Sequence, residues 1–383
     1  MSVLNGVRVV EIAGLGPGPF CGMLLADLGA EVIVIERPDA RHTGPRPEYI
    51  VNRGKRSITL DFKSPAAVEA TLRLIADADA LIEGMRPGVM ERLGLGPEVC
   101  LARNPKLVYG RMTGWGQHGP LAQAAAHDSN YTGLAGALWF ASPAGAPPQA
   151  PPTLVGDIAG GSLYLALGIV SGILRARSDG RGQVVDAAIV DGVAHMLNLL
   201  LGAHASKRDN FDRGTQFYDL AHWAGRSYRC ADGGWVNLAS VEPQFYADLI
   251  RRLDLEGDQR FVRGQWDARI WPQLSEELAR LFATRSRADW CAQLEGTDVC
   301  FAPVLSPAEA AVHPHMVARG AYGTVDGVLQ GAAAPRFSAT PSQAIASVPR
   351  LGEHSREVLS EAGLTAAQID ALLDCGANTS VPA

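Results

Sequence analysis

The sequence predicts an α/β protein: a parallel sheet covered by helices on both faces, followed by a small α+β domain. Three observations carry this. Short β-branched runs alternate with helix-spaced apolar residues through the first 200 positions, the signature of a buried parallel sheet. The texture changes near residue 227 to short strands, turns and amphipathic helices. The length, 383 residues, is that of two domains or so, and 47% apolar against 19% charged residues excludes a disordered chain.

Taken in order, Val7-Arg-Val-Val-Glu-Ile12 is β-branched and apolar and reads as a buried strand. Gly14-Leu-Gly16-Pro-Gly18-Pro19 is a turn with proline near a helix start. Phe20, Met23, Leu24 and Leu28 then recur at helical spacing. Further strands are expected at Val32–Ile35, Ser57–Leu60, Ala80–Ile82, Leu107–Tyr109 and Gly182–Asp186, with helices near 66–76 and 188–201. Residues 203–226 are polar and irregular and read as a linker. Tyr228–Leu238 reads as two strands around an Asp232-Gly233 turn. Helices near 242–254, 271–283 and 287–294 complete the small domain. Proline- and glycine-rich connections run to about Pro341, and Ser355–Leu373 is amphipathic and helical.

With Lys+Arg 34 and Asp+Glu 40, the net charge is −6, which argues against general nucleic-acid binding. The six cysteines include no CxxC pair, so a metal site on that spacing is not expected. Free thiols in a reducing cytoplasm are the expectation. The N-terminus has no basic start followed by a long apolar run, so no signal peptide is read there. Ile158–Leu174 is uncharged but short and glycine-rich, which suits a closely packed buried helix rather than a membrane span.

Gly14-x-Gly16-x-x-Pro19 after a strand, with Glu36 some twenty residues on, imitates a dinucleotide fingerprint. Pro19 replaces the third glycine, and Arg37 suits a phosphate better than a ribose hydroxyl. A nicotinamide site, a plain helix-starting turn and a loop approaching another anionic ligand all remain open. Charge supports the last. From Arg37 to Arg111 there are 13 Lys+Arg and 9 Asp+Glu, a net +4 within an acidic chain. Arg37, Arg53, Lys55, Arg56, Lys63, Arg86 and Arg92 fall near expected strand ends or loops, where phosphates are bound in parallel sheets.

Three residues suit proton transfer. His127 stands where a loop enters a helix, Asp157 opens the glycine-rich helix, and Glu242 starts a small-domain helix. Read singly, each has a plainer role: a loop histidine, an N-cap, a partner for a helix dipole. No spacing rule unites them.

The ordered set of motifs is more specific. It comprises Arg8-Val-Val-Glu11 with Gly14–Pro19, Asp27-Leu-Gly-Ala-Glu-Val32, Glu83-Gly-Met-Arg-Pro-Gly88 and Glu91-Arg-Leu-Gly-Leu-Gly96. Arg111-Met-Thr-Gly-Trp-Gly-Gln-His-Gly-Pro120, His127-Asp128, Gly156-Asp157 and Val184-Val-Asp-Ala-Ala188 continue it, followed by Glu242–Tyr246 and Ala334–Ser338. In colinear order over nearly the whole chain, it resembles the alpha-methylacyl-CoA racemase subgroup of the family III CoA-transferases.

The resemblance implies a Rossmann-like large domain, residues 1–202 completed by 320–383, a linker at 203–226 and a small domain at 227–319. It also implies an interlocked homodimer and an acyl-CoA substrate with CoA as part of it, and no separate cofactor or metal is expected; nucleic acid and membrane are not expected partners on the charge and segment-length grounds above. His127, Asp157 and Glu242 match the proton-transfer residues, and Asp128 the residue whose N–H binds the thioester oxygen. Arg37, Leu60, Phe62, Lys63, Gly84, Arg86, Arg92 and Tyr131 match positions lining the CoA site. The implied reaction inverts the α-carbon of a 2-methylacyl thioester through an enolate, with a base for each face. An imidazole, ordinarily titrating near 6.5, suits one base and a carboxyl with raised pKa the other. A true CoA-transferase would use Asp157 as nucleophile, and a non-catalytic acyl-CoA carrier would need no carboxylate–His pair. Where relatives present a methionine-rich acyl surface, this chain reads Leu199-Leu-Leu-Gly-Ala-His204 with only Met196 nearby. Branched fatty, sterol side-chain and aryl-propionyl substrates therefore all stay open.

Overall fold

The computed structural model describes residues 2–39, 44–142, 145–206, 211–216, 219–341 and 344–377, with side chains described through 374. The chain divides into two compact units. One comprises residues 1–135, 151–196 and 317–383, the other 136–150 and 197–316.

The first unit opens with β1 (Arg8–Ile12), α1 (Pro17–Asp27), β2 (Glu31–Glu36), β3 (Arg56–Thr59), α2 (Pro65–Ala76) and β4 (Ala80–Glu83). Short helices α3 (Val89–Arg92) and α4 (Pro97–Arg103) lead to β5 (Val108–Thr113) and α5 (Asp128–Leu134). A π-helical segment, Leu154–Ser162, runs straight into α6 (Leu163–Asp179), before β6 (Gln183–Ala188) and α7 (Ile189–Met196). The six strands form one sheet in the order β3-β2-β1-β4-β5-β6, every pair parallel. The order reverses between β1 and β4, and ligands of such sheets bind outside the carboxyl ends of the strands at that point.

The β-branched runs build the core as their burial requires: Val10, Ile12, Ile33, Ile35, Ile58 and Leu81 lie in one apolar cluster with residues of α2. Glycines bring α6 close to the sheet. A Cβ on Gly172 would lie 2.8 Å from Val108, and one on Gly168 2.6 Å from Val185. Residues 154–179 are long and apolar enough to cross a membrane by length and composition; the sequence suggested a buried helix, but only the glycine face packs on protein, and Leu167 and Leu174 on the opposite face are exposed.

The second unit holds α8 (Asn198–Ala205), β7 (Ser227–Arg229), β8 (Trp235–Leu238), α9 (Pro243–Arg252), α10 (Gln259–Arg263), α11 (Trp271–Phe282) and α12 (Arg287–Leu294). Then come β9 (Phe301–Val304) and α13 (Pro307–Val312). Its antiparallel sheet, β7-β8-β9, packs on a core rich in aromatics, including Trp223, Phe261, Phe282 and Trp290. After α14 (Pro314–Ala318), the chain makes a hairpin of β10 (Tyr322–Val325) and β11 (Val328–Gly331) and ends in α15 (Ser355–Glu361) and α16 (Ala366–Ala377).

The C-terminal segment belongs to the first unit. His354 N–H donates to the Ser57 carbonyl at 2.9 Å, and Thr59 N–H to Ser355 Oγ at 3.1 Å. The otherwise open edge of β3 is thereby covered, which protects it from pairing with another chain.

Four expectations are corrected. The helix expected at 188–201 is two, α7 and α8, in different units. The helix expected over Ser355–Leu373 breaks at Gly363, whose φ of 78° ends α15. The linker expected at 203–226 is not one throughout. Asp219, His222 and Trp223 are fully buried, because the Trp223 indole forms part of the second core; residues 207–210, 217 and 218 lie outside the described ones. The connections expected after Pro303 include a hairpin turning on Asp326 and Gly327, both with positive φ.

Candidate active site

A cavity of about 580 Å³ opens at the carboxyl ends of β1, β4 and β5. Leu15–Pro17, leaving β1, line one side, and Gly84–Pro87, leaving β4, another. The end of β5 with Gly114 and Trp115 forms its floor, and His127, Tyr131 and Asp157 reach it from two further segments. The cavity therefore sits at the switch point of the sheet.

His127 is the N-cap of α5, in extended backbone, and its N–H donates to Asn130 Oδ1 at 3.1 Å. That contact fixes the turn from which the imidazole projects. Asp128 follows in the first turn of α5, where backbone N–H groups lack intrahelical acceptors. Tyr131 donates its hydroxyl to the Ala126 carbonyl at 2.6 Å and meets Trp115 edge to face at 4.8 Å. Gly114 makes room for that ring: a Cβ there would lie 2.0 Å from it.

Asp157 stands in the π-helical segment, a form that is rare and frequent at functional sites. Ser162 pins the segment by donating its hydroxyl to the carbonyls of Pro17 at 2.7 Å and Asp157 at 3.1 Å. Burial raises the Asp157 carboxyl above the usual range and the negative charge of Asp128 adds to this, while His127 opposes it. A raised carboxyl pKa beside a histidine is the pattern of an acid–base pair.

Of the residues matched to a CoA site, Gly84, Arg86 and Tyr131 line this cavity. Arg37, Lys63 and Arg92 are exposed and lie outside its lining. Leu60 is buried in the core and Phe62 packs against it, so the Leu60 side chain is not part of the cavity. Glu242 is exposed at the start of α9, in the second unit.

The cation cluster is thinner than the charge count suggested. Lys55 is fully buried and pairs with Glu11 at 2.6 Å; Arg53 pairs with Asp27 at 2.6 Å. Arg56 pairs with Glu31, Glu357 and Glu361. These three neutralise carboxylates within the fold, leaving Arg37, Lys63, Arg86 and Arg92 without ion pairs among the described residues. Among those residues no group of three or more His, Cys, Asp or Glu could hold a metal ion. The five described cysteines are free.

The fold is one shared by CoA-transferases and CoA-thioester racemases. The chain belongs to the CoA-transferase family III, whose family model matches residues 4–355. It is 41% identical to the mouse alpha-methylacyl-CoA racemase over 96% of this chain and 95% of that one. The human alpha-methylacyl-CoA racemase is 38% identical over the same shares. Among solved structures, a CAIB/BAIF family protein from Brucella suis superposes with a TM-score of 0.81 at 28% identity, covering 94% of this chain and 99% of that one.

Proposed function

We propose that this protein is a racemase of 2-methylacyl-CoA thioesters, inverting the chiral α-carbon by proton transfer through an enolate. The observation that carries the reading is the meeting of His127 and Asp157, from separate segments, in one cavity at the switch point of the sheet. The identity to racemases over nearly the full length supports it.

In one direction Asp157, ionised, removes the α-proton while protonated His127 delivers one to the other face; in the other direction the roles reverse. The raised proton affinity of Asp157 suits a group that must both take and return a proton. The thioester carbonyl itself delocalises the carbanion, so the chemistry calls for no cofactor. The Asp128 N–H meets the developing oxyanion; one such donor contributes roughly 3–4 kcal/mol in comparable sites. Arg86 at the cavity, with Arg37, Lys63 and Arg92, binds the phosphates of CoA; Tyr131 and Gly84 with the Leu60–Phe62 backbone line its path. Glu242 orients His127 and stabilises the imidazolium. The family resemblance implies an interlocked homodimer, and we read the Glu242 at each site as that of a second copy. Free thiols suit a cytoplasmic enzyme.

The test is deuterium wash-in to each pure enantiomer of a 2-methylacyl-CoA in D₂O, without an acceptor acid. The wild type exchanges the α-proton and inverts the centre. His127→Ala and Asp157→Ala each lose inversion by about 10²–10⁴-fold, the usual contribution of a general acid–base. Each retains slow exchange of one enantiomer only, and opposite ones. Acyl transfer to a carboxylate without α-exchange would identify a transferase with Asp157 as nucleophile instead.

A further inference from the structure

Asp128 is buried, and its Oδ2 accepts two backbone hydrogen bonds from far along the chain: from Gly156 N–H at 2.8 Å and from Asp157 N–H at 2.9 Å. These are first-turn donors of the π-helical segment. Its first helical bond is made by Ile158 N–H to the Thr153 carbonyl at 3.1 Å, and Thr153 offers no side-chain cap. Without Asp128 the two N–H groups would lack a protein acceptor. The approach is close: a Cβ on Gly156 would stand 2.5 Å from Asp128 Oδ2. Thr132 holds the other end, donating its hydroxyl to the Asp128 carbonyl at 3.0 Å.

We propose that the Asp128 carboxylate is a positioning residue for Asp157, clamping the peptide from which the Asp157 side chain reaches the substrate. The inference rests on the racemase reading only for its kinetic consequences. One residue then ties both halves of the reaction together: its N–H faces the oxyanion position, and its side chain fixes the base. Its charge has a further effect. The titratable groups facing Asp157 are His127, Asp128 and Tyr131, all from α5 and its N-cap. Arg86 lines the same cavity from the loop after β4, and α1 and α7 present the uncharged Pro17 and Ile189 to it. Within this set Asp128 disfavours ionisation of Asp157 and His127 favours it.

Two substitutions separate clamp from charge, and both leave the Asp128 N–H in place. In Asp128→Asn the amide oxygen can accept both hydrogen bonds but the charge is gone. Gly156 and Asp157 amides stay protected from hydrogen exchange, and the limb of the pH–rate profile set by Asp157 moves to lower pH, because ionisation no longer meets a like charge. Asp128→Ala removes the acceptor. The two amides exchange faster, and kcat falls about 10- to 100-fold, as misplacement by an ångström does, with KM little changed. An Asp128→Ala protein with protected amides and wild-type kcat, or an Asp128→Asn protein whose two amides exchange as fast as those of Asp128→Ala, overturns the proposal. Amide exchange needs no substrate, so the clamp is tested even if the wild type fails to exchange the α-proton and the racemase reading falls.

Discussion

Arg86 and Lys55 carry the same formal charge and do opposite work. Lys55 is wholly buried, its Nζ 2.6 Å from Glu11; removing it would strand a carboxylate already pushed up by burial to about 7. Arg86 is exposed at the lip of the cavity, where a guanidinium can meet a phosphate bidentately. The local excess of positive charge was legible in the sequence, but its division was not. Which cations are consumed by Glu11, Asp27 and Glu31 depends on which strands become neighbours. For Arg86→Ala we expect CoA affinity to fall on the order of tenfold, the low end of a charged hydrogen bond's contribution of about 1.5–3 kcal/mol because the site is exposed. Wild-type affinity should also weaken with added salt, since exposed charges are screened over about 8–10 Å. Isothermal titration of CoA at several salt concentrations checks both; salt-independent binding or an unaffected variant would remove Arg86 from the phosphate site.

At the scale of elements, β1 and β2 were readable because each is a β-branched apolar run with no competing helical period, whereas β5, Val-Tyr-Gly-Arg-Met-Thr, announces only its first two residues. The hairpin β10–β11 is not announced by its sequence although Asp326-Gly327 is a strong two-residue turn signal, because its flanks, Gly323-Thr324 and Leu329-Gln330, are too mixed to read as strands. The π-helical form of Leu154–Ser162 left no trace in hydrophobic spacing, because glycines occupy the positions that would report it. Those glycines matter for the site. Gly192 on α7 packs so tightly on this segment that a Cβ would sit 1.9 Å from the Gly160 carbonyl oxygen. The segment would have to move, and Asp157 with it. Gly192→Ala should therefore cost about 1–3 kcal/mol, as overpacking does, and also lower α-proton exchange. Gly257→Ala, in a turn of the other unit with nothing within 4 Å of the added methyl, should lower neither. Thermal unfolding and deuterium wash-in on the two variants check this, and equal behaviour would count against the packing argument.

At the scale of the whole molecule, the two-texture reading of the sequence corresponds to two compact units, although the boundaries fall at Met196 and Met316 and the stretch Gly136–Ala150 joins the second. The sequence could not announce that last detail, because a segment's allegiance depends on contacts far along the chain. His127 and Asp157 lie in one unit and Glu242 in the other. On α6, the face away from the sheet carries Leu163, Leu167, Val170 and Leu174, all exposed, Leu174 at 74%. Their spacing of four, three and four makes a continuous apolar stripe, and stripes of this kind mark contact with another surface. A second copy of the chain is the occupant proposed here, and it would bring a second Glu242. If each site draws Glu242 from the partner, His127→Ala and Glu242→Ala homodimers are each inactive by different defects. A mixed dimer then holds one site with both residues intact. Co-expression with two affinity tags isolates that mixed species. Its inversion rate per dimer should approach half that of the wild type, and a monomer in sedimentation or a mixed dimer without activity would rule the arrangement out.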